Sequence, residues 1–526
     1  MTLGALGFTA ALLSAAKFYP DDPIWREPPP IPVTSAVERS ISDTYEMLDR
    51  VILRRRPKRG TPARAVNTLG EVPDSAWFRN RFRGKPRDLA SLVRGPIVGE
   101  SPEKCFPWTV VRGKNEGASP GFVIDDCSGV RFILKFDSPQ HPNITTAAEV
   151  IGSKFFHALG YHVPEYRIVR FDRSNLTIGP RATVIDATGK KRPMTPEDLE
   201  EILLALKPES DGRFRAVASR FIKGKILGPF LYSGTRSDDP NDIVPHEDRR
   251  DLRGLFVFSS WLNHFDTSPV NTLDSLVVED GIPHIRHHLI DFGSTLGSDA
   301  LGARRPESGN SYLFEPRPVA LQLFTGGIFV PGWQKARYPI VAEAGRFDWK
   351  SFDPRRWKPV YPNPAFHNML PDDAYWAAKK VMEFIDEEIR AMVETGEYGT
   401  RAAVDWISEC LIERRNKIGR AYFSDVLPLD DFRVEDGELR FWDLAVKYGF
   451  VPARVYEVRW FRFDNLTERR QPLPDPVGYR IPPEFLEGSD GYVCADLWSE
   501  DPAKRVTVYL RKEDGRIDVV GLERSW

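Results

Sequence analysis

Short hydrophobic runs alternate with polar and turn-forming residues in the region that begins at Trp108. The runs WTVV (108–111), GFVIDD (121–126) and VRFILKFD (130–137) are rich in β-branched and aromatic residues, which is typical of strands. In AAEVIGSKFFHALG (147–160) the apolar positions recur at helical spacing, and the glycine at its end is a helix stop. The run Tyr166–Phe171 is strand-like again. Strands, a helix and further strands in this order predict an α+β unit.

The second half of the chain changes character twice. Residues 195–206, 247–264 and 372–418 have helical patterns, and the strand-like runs 273–280 and 284–292 are separated by the turn Asp280-Gly281. From Phe432 onward, short β-type runs alternate with turn signals. This last pattern predicts a small β-sandwich-like domain at the C-terminal end.

Composition and charge restrict the class of protein. With 526 residues, of which 41% are hydrophobic, the chain can bury several cores. The 73 Lys and Arg residues nearly balance the 75 Asp and Glu residues, so no global field favours a nucleic acid. The basic run LRRRPKRGTPAR (53–64) has no interleaved aromatic residues, which favours a solvated loop over a nucleic-acid arm. We therefore expect no nucleic-acid partner.

The first 16 residues bear on the compartment. MTLGALGFTAALLSAA is apolar and rich in small residues, but it is too short to span a bilayer and lacks a positively charged start. Small residues at its end suit a signal peptidase, so the segment predicts export to a periplasmic or extracellular location. A buried N-terminal helix or a misplaced start codon are the alternatives, and they would leave the protein in the cytoplasm. No later apolar run is long enough to predict a transmembrane helix.

The four cysteines give little chemical information. Cys105, Cys127, Cys410 and Cys494 show neither C-x-x-C spacing nor the density of a disulfide scaffold. The sequence therefore supports no zinc site and no redox motif.

The stretch HHLIDFGSTLG (287–297) contains D-F-G, which is either a metal-holding loop or the end of a buried strand. Upstream, in HFDTSPVN (264–271), Asp266 and Asn271 have the D-x-x-x-x-N spacing of a kinase catalytic loop. His264 occupies the place of the histidine in His-Arg-Asp. Phosphoryl transfer needs one carboxylate near the acceptor hydroxyl, and an amide oxygen and a second carboxylate for the cations.

Two further residues complete the order that a kinase requires. Lys135 lies in the β-type run ILKF, much as the lysine of V-A-I-K does, and Glu149 lies near the start of the next helix. A glycine-containing turn, GKNEGASPGF (113–122), precedes the lysine. A strand lysine is usually solvated at its tip and a helical glutamate usually faces water, but the combined order favours a nucleotide site.

These motifs resemble the atypical protein-kinase-like fold, especially the HipA-type kinases and, around LIDFGSTLG, the phosphoinositide 3-/4-kinases. The segment AAEVIGSKFFHALGYHVPEY resembles the HipA-type segment in which a glutamate is followed by an Ala-rich helix, a glycine and Val-Pro. The resemblance covers about residues 105–420 and implies a two-lobed kinase fold, with a β-rich N-lobe and a mostly helical C-lobe. It also implies ATP in the cleft between the lobes, with Mg²⁺ or Mn²⁺ as the metal.

The resemblance and the patterning together divide the chain into five expected parts. They are a possible signal segment (1–16), an N-terminal extension (17–104), the N-lobe (105–222), the C-lobe (223–425) and the β-rich accessory domain (426–526).

The resemblance also implies roles for single residues. Lys135 would bind the α- and β-phosphates and pair with Glu149. Asp266 would orient the acceptor hydroxyl or take its proton, and Asn271 and Asp291 would hold the metal.

Two segments are implied to contact the rest of the nucleotide. ASRFIKGK (218–225) resembles the hinge between the lobes, so the backbone near Phe221 and Ile222 would meet the adenine. Gly117 and Gly121 would cradle the phosphates, although the turn is not G-x-G-x-x-G.

Three departures from the kinase pattern keep a second hypothesis open. Phe265 replaces the Arg of His-Arg-Asp, so we expect no switch through a phosphorylated activation loop. Ser268 stands where protein kinases usually carry a Lys, so a cation would have to come from elsewhere, for example Arg249 or Arg250. No A-P-E follows D-F-G. The first hypothesis is an ATP-dependent phosphotransferase with a protein or small hydroxylated acceptor. The alternative is a catalytically weak or inactive kinase-like scaffold whose C-terminal β domain engages a partner or glycan.

Overall fold

The computed structural model describes residues 16–41, 60–114, 121–185, 190–299, 302–313, 336–338, 341–474 and 478–526. Within these ranges the chain forms two compact units. One comprises Arg26–Ala65 and Val72–Tyr422, and the other comprises the described residues up to Trp25, together with Val66–Glu71 and Phe423–Trp526. Both units combine helices with sheets, so the α+β class is confirmed.

The first part of the larger unit contains most of its strands. In chain order, the elements are α1 (Leu89–Arg94), β1 (Trp108–Lys114), β2 (Gly121–Asp125), β3 (Arg131–Lys135), α2 (Ile144–Leu159), β4 (Tyr166–Phe171), β5 (Leu176–Ile185), β6 (Lys191–Pro193), α3 (Pro196–Leu204) and β7 (Phe214–Arg220). The strands form one seven-stranded sheet in the order β4-β7-β3-β2-β1-β5-β6. Leu199 and Leu203 of α3 pack with buried sheet residues such as Trp108, Phe122 and Leu134 in one core.

Helix α2 follows the prediction from its apolar periodicity. It ends at Leu159, because Gly160 takes the positive φ of 123° that a side chain disfavours. At its start, Asp137 Oδ1 accepts hydrogen bonds from the backbone amides of Thr145 (2.8 Å) and Thr146 (2.9 Å). The carboxylate thus satisfies two amides that an α-helix leaves without internal partners. The helix packs against β4 and β7.

The rest of the larger unit is built around a three-stranded sheet and helices. Its elements are β8 (Lys225–Gly228), α4 (Arg250–Leu262), β9 (Thr272–Glu279), β10 (Ile282–Leu289), β11 (Ser298–Asp299), β12 (Gly302–Ala303), α5 (Pro364–His367), α6 (Pro371–Met382), α7 (Asp386–Glu394) and α8 (Arg401–Phe423). Strands β10, β9 and β8 form the sheet in that order. The helical region predicted over 372–418 is divided into three helices, with breaks at Glu383–Ile385 and Thr395–Thr400.

The smaller unit is mainly β. Its elements are β13 (Leu429–Glu435), β14 (Glu438–Asp443), α9 (Leu444–Lys447), β15 (Glu457–Phe463), β16 (Arg470–Pro472), α10 (Pro483–Glu487), β17 (Gly491–Trp498), β18 (Arg505–Glu513) and β19 (Arg516–Arg524). Five strands form an antiparallel sheet in the order β16-β15-β17-β18-β19, and β13 pairs with β14. Trp460 lies in a core formed by residues of the β13–β14 pair and of the five-stranded sheet. Phe18 packs with Phe463 and Tyr509 in a second cluster.

The disulfide between Cys105 and Cys127 was not predicted from the sequence. It joins the segment before β1 to the turn between β2 and β3, with a Cα–Cα distance of 5.1 Å. The cysteine spacing gives no signal for this bond, because the sheet brings the two residues together. Among the described residues, no helix is long and apolar enough to cross a membrane.

Candidate functional site

Lys135, Glu149 and Asp291 meet inside the larger unit. Lys135 is the last residue of β3 and Glu149 lies in the second turn of α2. The Lys135 ammonium contacts Glu149 Oε1 directly and lies 2.9 Å from Asp291 Oδ2. The Glu149 side chain is fully buried, whereas 46% of the Asp291 side chain is exposed. The Lys135 ammonium therefore pairs with the buried carboxylate of Glu149 and with the partly exposed carboxylate of Asp291.

The electrostatics of this triad favour a charged lysine. Burial lowers the pKa of Lys135, but the carboxylates of Asp291 and Glu149 outweigh this and hold that pKa well above its usual value. Burial raises the pKa of Glu149, and the Lys135 ammonium opposes that shift. The net result is a raised pKa for Glu149. When both carboxylates are ionised, the charges of the triad sum to one negative charge, which a divalent cation would turn into a positive field for phosphate.

The β9–β10 hairpin brings Asn271 to Asp291, although the two residues are twenty positions apart. Thr272, the first residue of β9, pairs with Leu289, the last residue of β10. One step beyond this pair, the Ile290 amide donates to the Asn271 carbonyl at 3.0 Å. Asp291 follows at once with a φ of 60°, a left-handed conformation that aspartate tolerates better than most residues. D-F-G therefore begins just after a strand end.

The segment from Asp266 to Asn271 is a compact turn that holds its own polar groups. The Asn271 amide nitrogen donates to the Asp266 carbonyl at 2.9 Å, and the Ser268 hydroxyl donates to Asp266 Oδ1 at 3.0 Å. Pro269–Asn271 forms one 3-10 turn. The side-chain oxygen of Asn271 is the atom that could bind a cation, because an amide nitrogen is a donor only. The hydrogen bond from that nitrogen fixes the orientation of the amide group.

Phe292 and His264 are buried residues that pack against each other next to the triad. Phe292 is fully buried, and its ring centroid lies 5.2 Å from that of Phe156 and 5.8 Å from that of His264. Its amide donates to Glu149 Oε2 at 2.8 Å. Burial lowers the pKa of His264 to about 4, so the imidazole is neutral at physiological pH. His264 therefore acts here as a packing residue.

The predicted nucleotide contacts lie in the glycine turn before Lys135 and in the segment near Phe221. Gly117 lies outside the described residues. Gly121 begins β2 and pairs with Lys135 across the β2–β3 ladder, so this end of the glycine turn adjoins the lysine. The Phe221 amide donates to the Arg131 carbonyl at 3.1 Å and is not available to an adenine. A contact with adenine in this segment would have to use Ile222 or the carbonyl of Phe221.

The two arginines suggested as a replacement for the catalytic-loop lysine are engaged elsewhere. Arg249 is buried and pairs with Asp251 at 2.9 Å, and its guanidinium lies over the ring of Trp77. Arg250 pairs with Asp372 and with Asp373, the latter at 2.9 Å. Both guanidinium groups already have a buried carboxylate partner, so the structure gives the suggestion no support.

The donor set at Asp291 and Asn271 fits one kind of metal site. Across the described ranges, no group of three or more His, Cys, Asp or Glu side chains could hold a metal ion. A carboxylate and an amide oxygen do fit a hard cation, such as Mg²⁺ or Mn²⁺, that completes its coordination with phosphate oxygens and water.

Tyr166 belongs to this site, although the sequence did not single it out. The hydroxyl of Tyr166, the first residue of β4, accepts a hydrogen bond from the Asp291 amide at 3.1 Å. A buried tyrosine usually places its hydroxyl near a hydrogen-bond partner, and this general rule was the only indication in the sequence that Tyr166 has one. The sequence could not identify that partner, because it lies 125 residues away.

Comparison with known proteins does not place the chain in a family. No family model matches it, and no curated protein matches it. Among solved structures, it is similar to a Golgi casein kinase, with 9% identity, 65% of this chain and 78% of that chain covered, and a TM-score of 0.29. A structure of the Golgi casein kinase with Mn/ADP bound gives 10% identity, coverage of 78% and 95%, and the same TM-score of 0.29. A score this low does not establish a shared fold.

Proposed function

We propose that this chain is an ATP-dependent phosphotransferase of the atypical kinase type, which acts on a protein or small hydroxylated acceptor. The observation that carries the proposal is the convergence of Lys135, Glu149 and Asp291. A lysine on the third strand, paired with a glutamate on the following helix and close to the aspartate of D-F-G, is the arrangement that protein kinases use. The lobes of that fold would be residues 105–222 and 223–425.

Each residue of the proposed site has a chemical task. Lys135 would hold the α- and β-phosphates of ATP, and Glu149 would fix the position of the Lys135 ammonium. Asn271 and Asp291 would hold Mg²⁺ or Mn²⁺, which when bound neutralises charge on the phosphates. Asp266 would accept the proton of the acceptor hydroxyl as the phosphoryl group is transferred.

Export is part of the proposal. The Cys105–Cys127 disulfide supports it, because such bonds form and persist mainly in oxidising compartments. The expected signal segment is 1–16, and its residues 1–15 lie outside the described residues.

The alternative is a kinase-like protein that binds nucleotide but transfers phosphate poorly. It is favoured by Ser268 in the catalytic loop and by the engagement of Arg249 and Arg250 in buried ion pairs. Without a nearby cation, negative charge developing on the transferred group would be less stabilised. In this case the smaller unit would bind a partner or a glycan.

The decisive experiment measures binding of a fluorescent ATP analogue as the Mg²⁺ or Mn²⁺ concentration is raised. Asp291→Ala should abolish the metal-dependent part of the binding, because it removes the carboxylate proposed to hold the cation. Asp280→Ala is a matched control, since Asp280 also has a positive φ (49°) and lies at the other end of the β9–β10 hairpin. Equal metal dependence in the wild type and in both variants would refute the metal-binding role of Asp291, and a wild type without metal-dependent binding would refute the proposed function. Radiolabelled ATP with candidate acceptors then separates phosphate transfer from nucleotide binding alone.

A further inference from the structure

Two neighbouring backbone amides at D-F-G are held by side chains from two different elements. The Phe292 amide donates to Glu149 Oε2 of α2 at 2.8 Å, and the Asp291 amide donates to the Tyr166 hydroxyl of β4 at 3.1 Å. The glutamate has a second task, because its other oxygen contacts Lys135. The role of Tyr166 is not explained by any part of the proposed chemistry.

The backbone conformation of Asp291 explains why its hydrogen bond to Tyr166 matters. The φ of 60° places Asp291 in the left-handed region, which costs a non-glycine residue about 1–2 kcal/mol. Such a conformation persists when surrounding contacts fix it, and it is common at functional sites. A hydrogen bond to the Asp291 amide fixes the peptide plane from which the exposed carboxylate projects.

Tyr166 is a rigid anchor for that bond. The residue is 3% exposed, and its ring packs edge-on against Phe292 with centroids 5.9 Å apart. The position of the hydroxyl is therefore fixed in two ways. Tyr166 belongs to a strand of the sheet, and its ring packs against Phe292, the residue that follows Asp291.

The strand register places the side chains of Tyr166 and Lys135 on the same face of the sheet. Tyr166 pairs with Ser219 of β7, and Ser219 pairs with Ile133 of β3. Ile133 and Lys135 are two positions apart on β3, so their side chains point to the same face of the sheet. Cross-strand partners also share a face, and Tyr166 therefore lies on the face from which Lys135 reaches Asp291.

We propose that Tyr166 is a positioning residue that holds the Asp291 backbone so that the carboxylate is ready for a divalent cation beside the phosphates. This inference rests on the proposed function and adds a residue to its metal site. Groups that orient metal ligands from outside the coordination shell typically change metal affinity by about 10–100-fold when they are removed. Loss of a single hydroxyl from a bond to a neutral amide should lie near the lower end of that range.

The test is Tyr166→Phe, which keeps the ring packed against Phe292 and removes only the hydroxyl. We expect the Mn²⁺ concentration for half-maximal binding of the fluorescent ATP analogue to rise about tenfold. Hydrogen exchange at the Asp291 amide should also become faster, because that amide loses its acceptor.

Tyr161→Phe is the matched control. Tyr161 is a buried tyrosine of the same unit whose hydroxyl donates to the Asp251 backbone carbonyl at 2.6 Å. Its ring packs against Phe78, Phe156 and Phe258. We expect this variant to lose stability without any change in metal dependence. A purely structural role for Tyr166 would make the two variants behave alike, and that result overturns the inference while leaving the proposed function in place. A wild-type protein without metal-dependent nucleotide binding would instead overturn both.

Discussion

The glycine at position 152 offers a sharp test of whether the packing of Phe292 controls the site. Gly152 lies in α2 one turn after Glu149, directly against the D-F-G segment. A Cβ atom added at Gly152 would lie 2.7 Å from Cβ of Phe292 and 3.3 Å from its Cγ. Ordinary contact begins at 3.4 Å, so Gly152→Ala requires the helix and Phe292 to separate by about 0.7 Å. Asp291 is the residue next to Phe292 and would move with it.

Two opposing effects set the size of the stability change. Alanine in place of a helical glycine stabilises the helix by about 1 kcal/mol, while overpacking in a core typically costs about 1–3 kcal/mol. The net destabilisation should thus be about 0–2 kcal/mol, which leaves the protein folded. The effect on function should be larger, because a displacement of about 1 Å at a reacting centre can lower a rate by about 100-fold.

The assay compares Gly152→Ala with Gly254→Ala. Gly254 is also a buried glycine in a helix, and an added Cβ there would lie 2.5 Å from Cζ3 of Trp376, away from the triad. We expect similar losses in a urea unfolding experiment, but weakened metal-dependent ATP binding and about 10–100-fold slower transfer only for Gly152→Ala. Equal binding and transfer in the two variants would refute the link between Phe292 and Asp291.

Three further predictions concern catalysis, the disulfide and pH. Asp266→Asn should leave nucleotide binding nearly unchanged and lower transfer by about 100-fold or more, because the carboxylate acts on the acceptor; unchanged turnover would move the proton acceptor elsewhere. Cys105→Ser should cost about 3 kcal/mol in the free energy of unfolding, since the disulfide closes a separation of 22 residues, and reduction of the wild type should give the same loss. Burial lowers the pKa of His264 to about 4 from 6.5, so its contribution to stability is present above pH 6.5 and is lost as the pH falls towards 4. His264→Asn should therefore lose less stability than the wild type between pH 7 and pH 4 in urea titrations, by up to about 3 kcal/mol; equal losses would place the acid sensitivity in other groups.

Residue patterns along the chain were sufficient for the local elements of the candidate site. The periodicity of α2, its stop at Gly160 and the two strands on either side of Asp280 are local features, and the structure has them. The order of Lys135, Glu149, Asn271 and Asp291 could likewise be read directly, because each lies in or beside an element with a strong pattern. Such patterns survive in a single sequence because hydrophobic periodicity reports on burial within one element.

Contacts between distant residues were decided only by the tertiary structure. The Tyr166 hydroxyl, the Cys105–Cys127 bond and the engagement of Arg249 and Arg250 depend on strand register and helix packing, which no short stretch of sequence encodes. The same holds for the smaller unit, in which the described residues up to Trp25 join Val66–Glu71 and Phe423–Trp526. A sequence states which side chains are present and where the local elements begin and end. The three-dimensional arrangement decides which polar group finds which partner, because buried donors and charges must be satisfied wherever the fold places them.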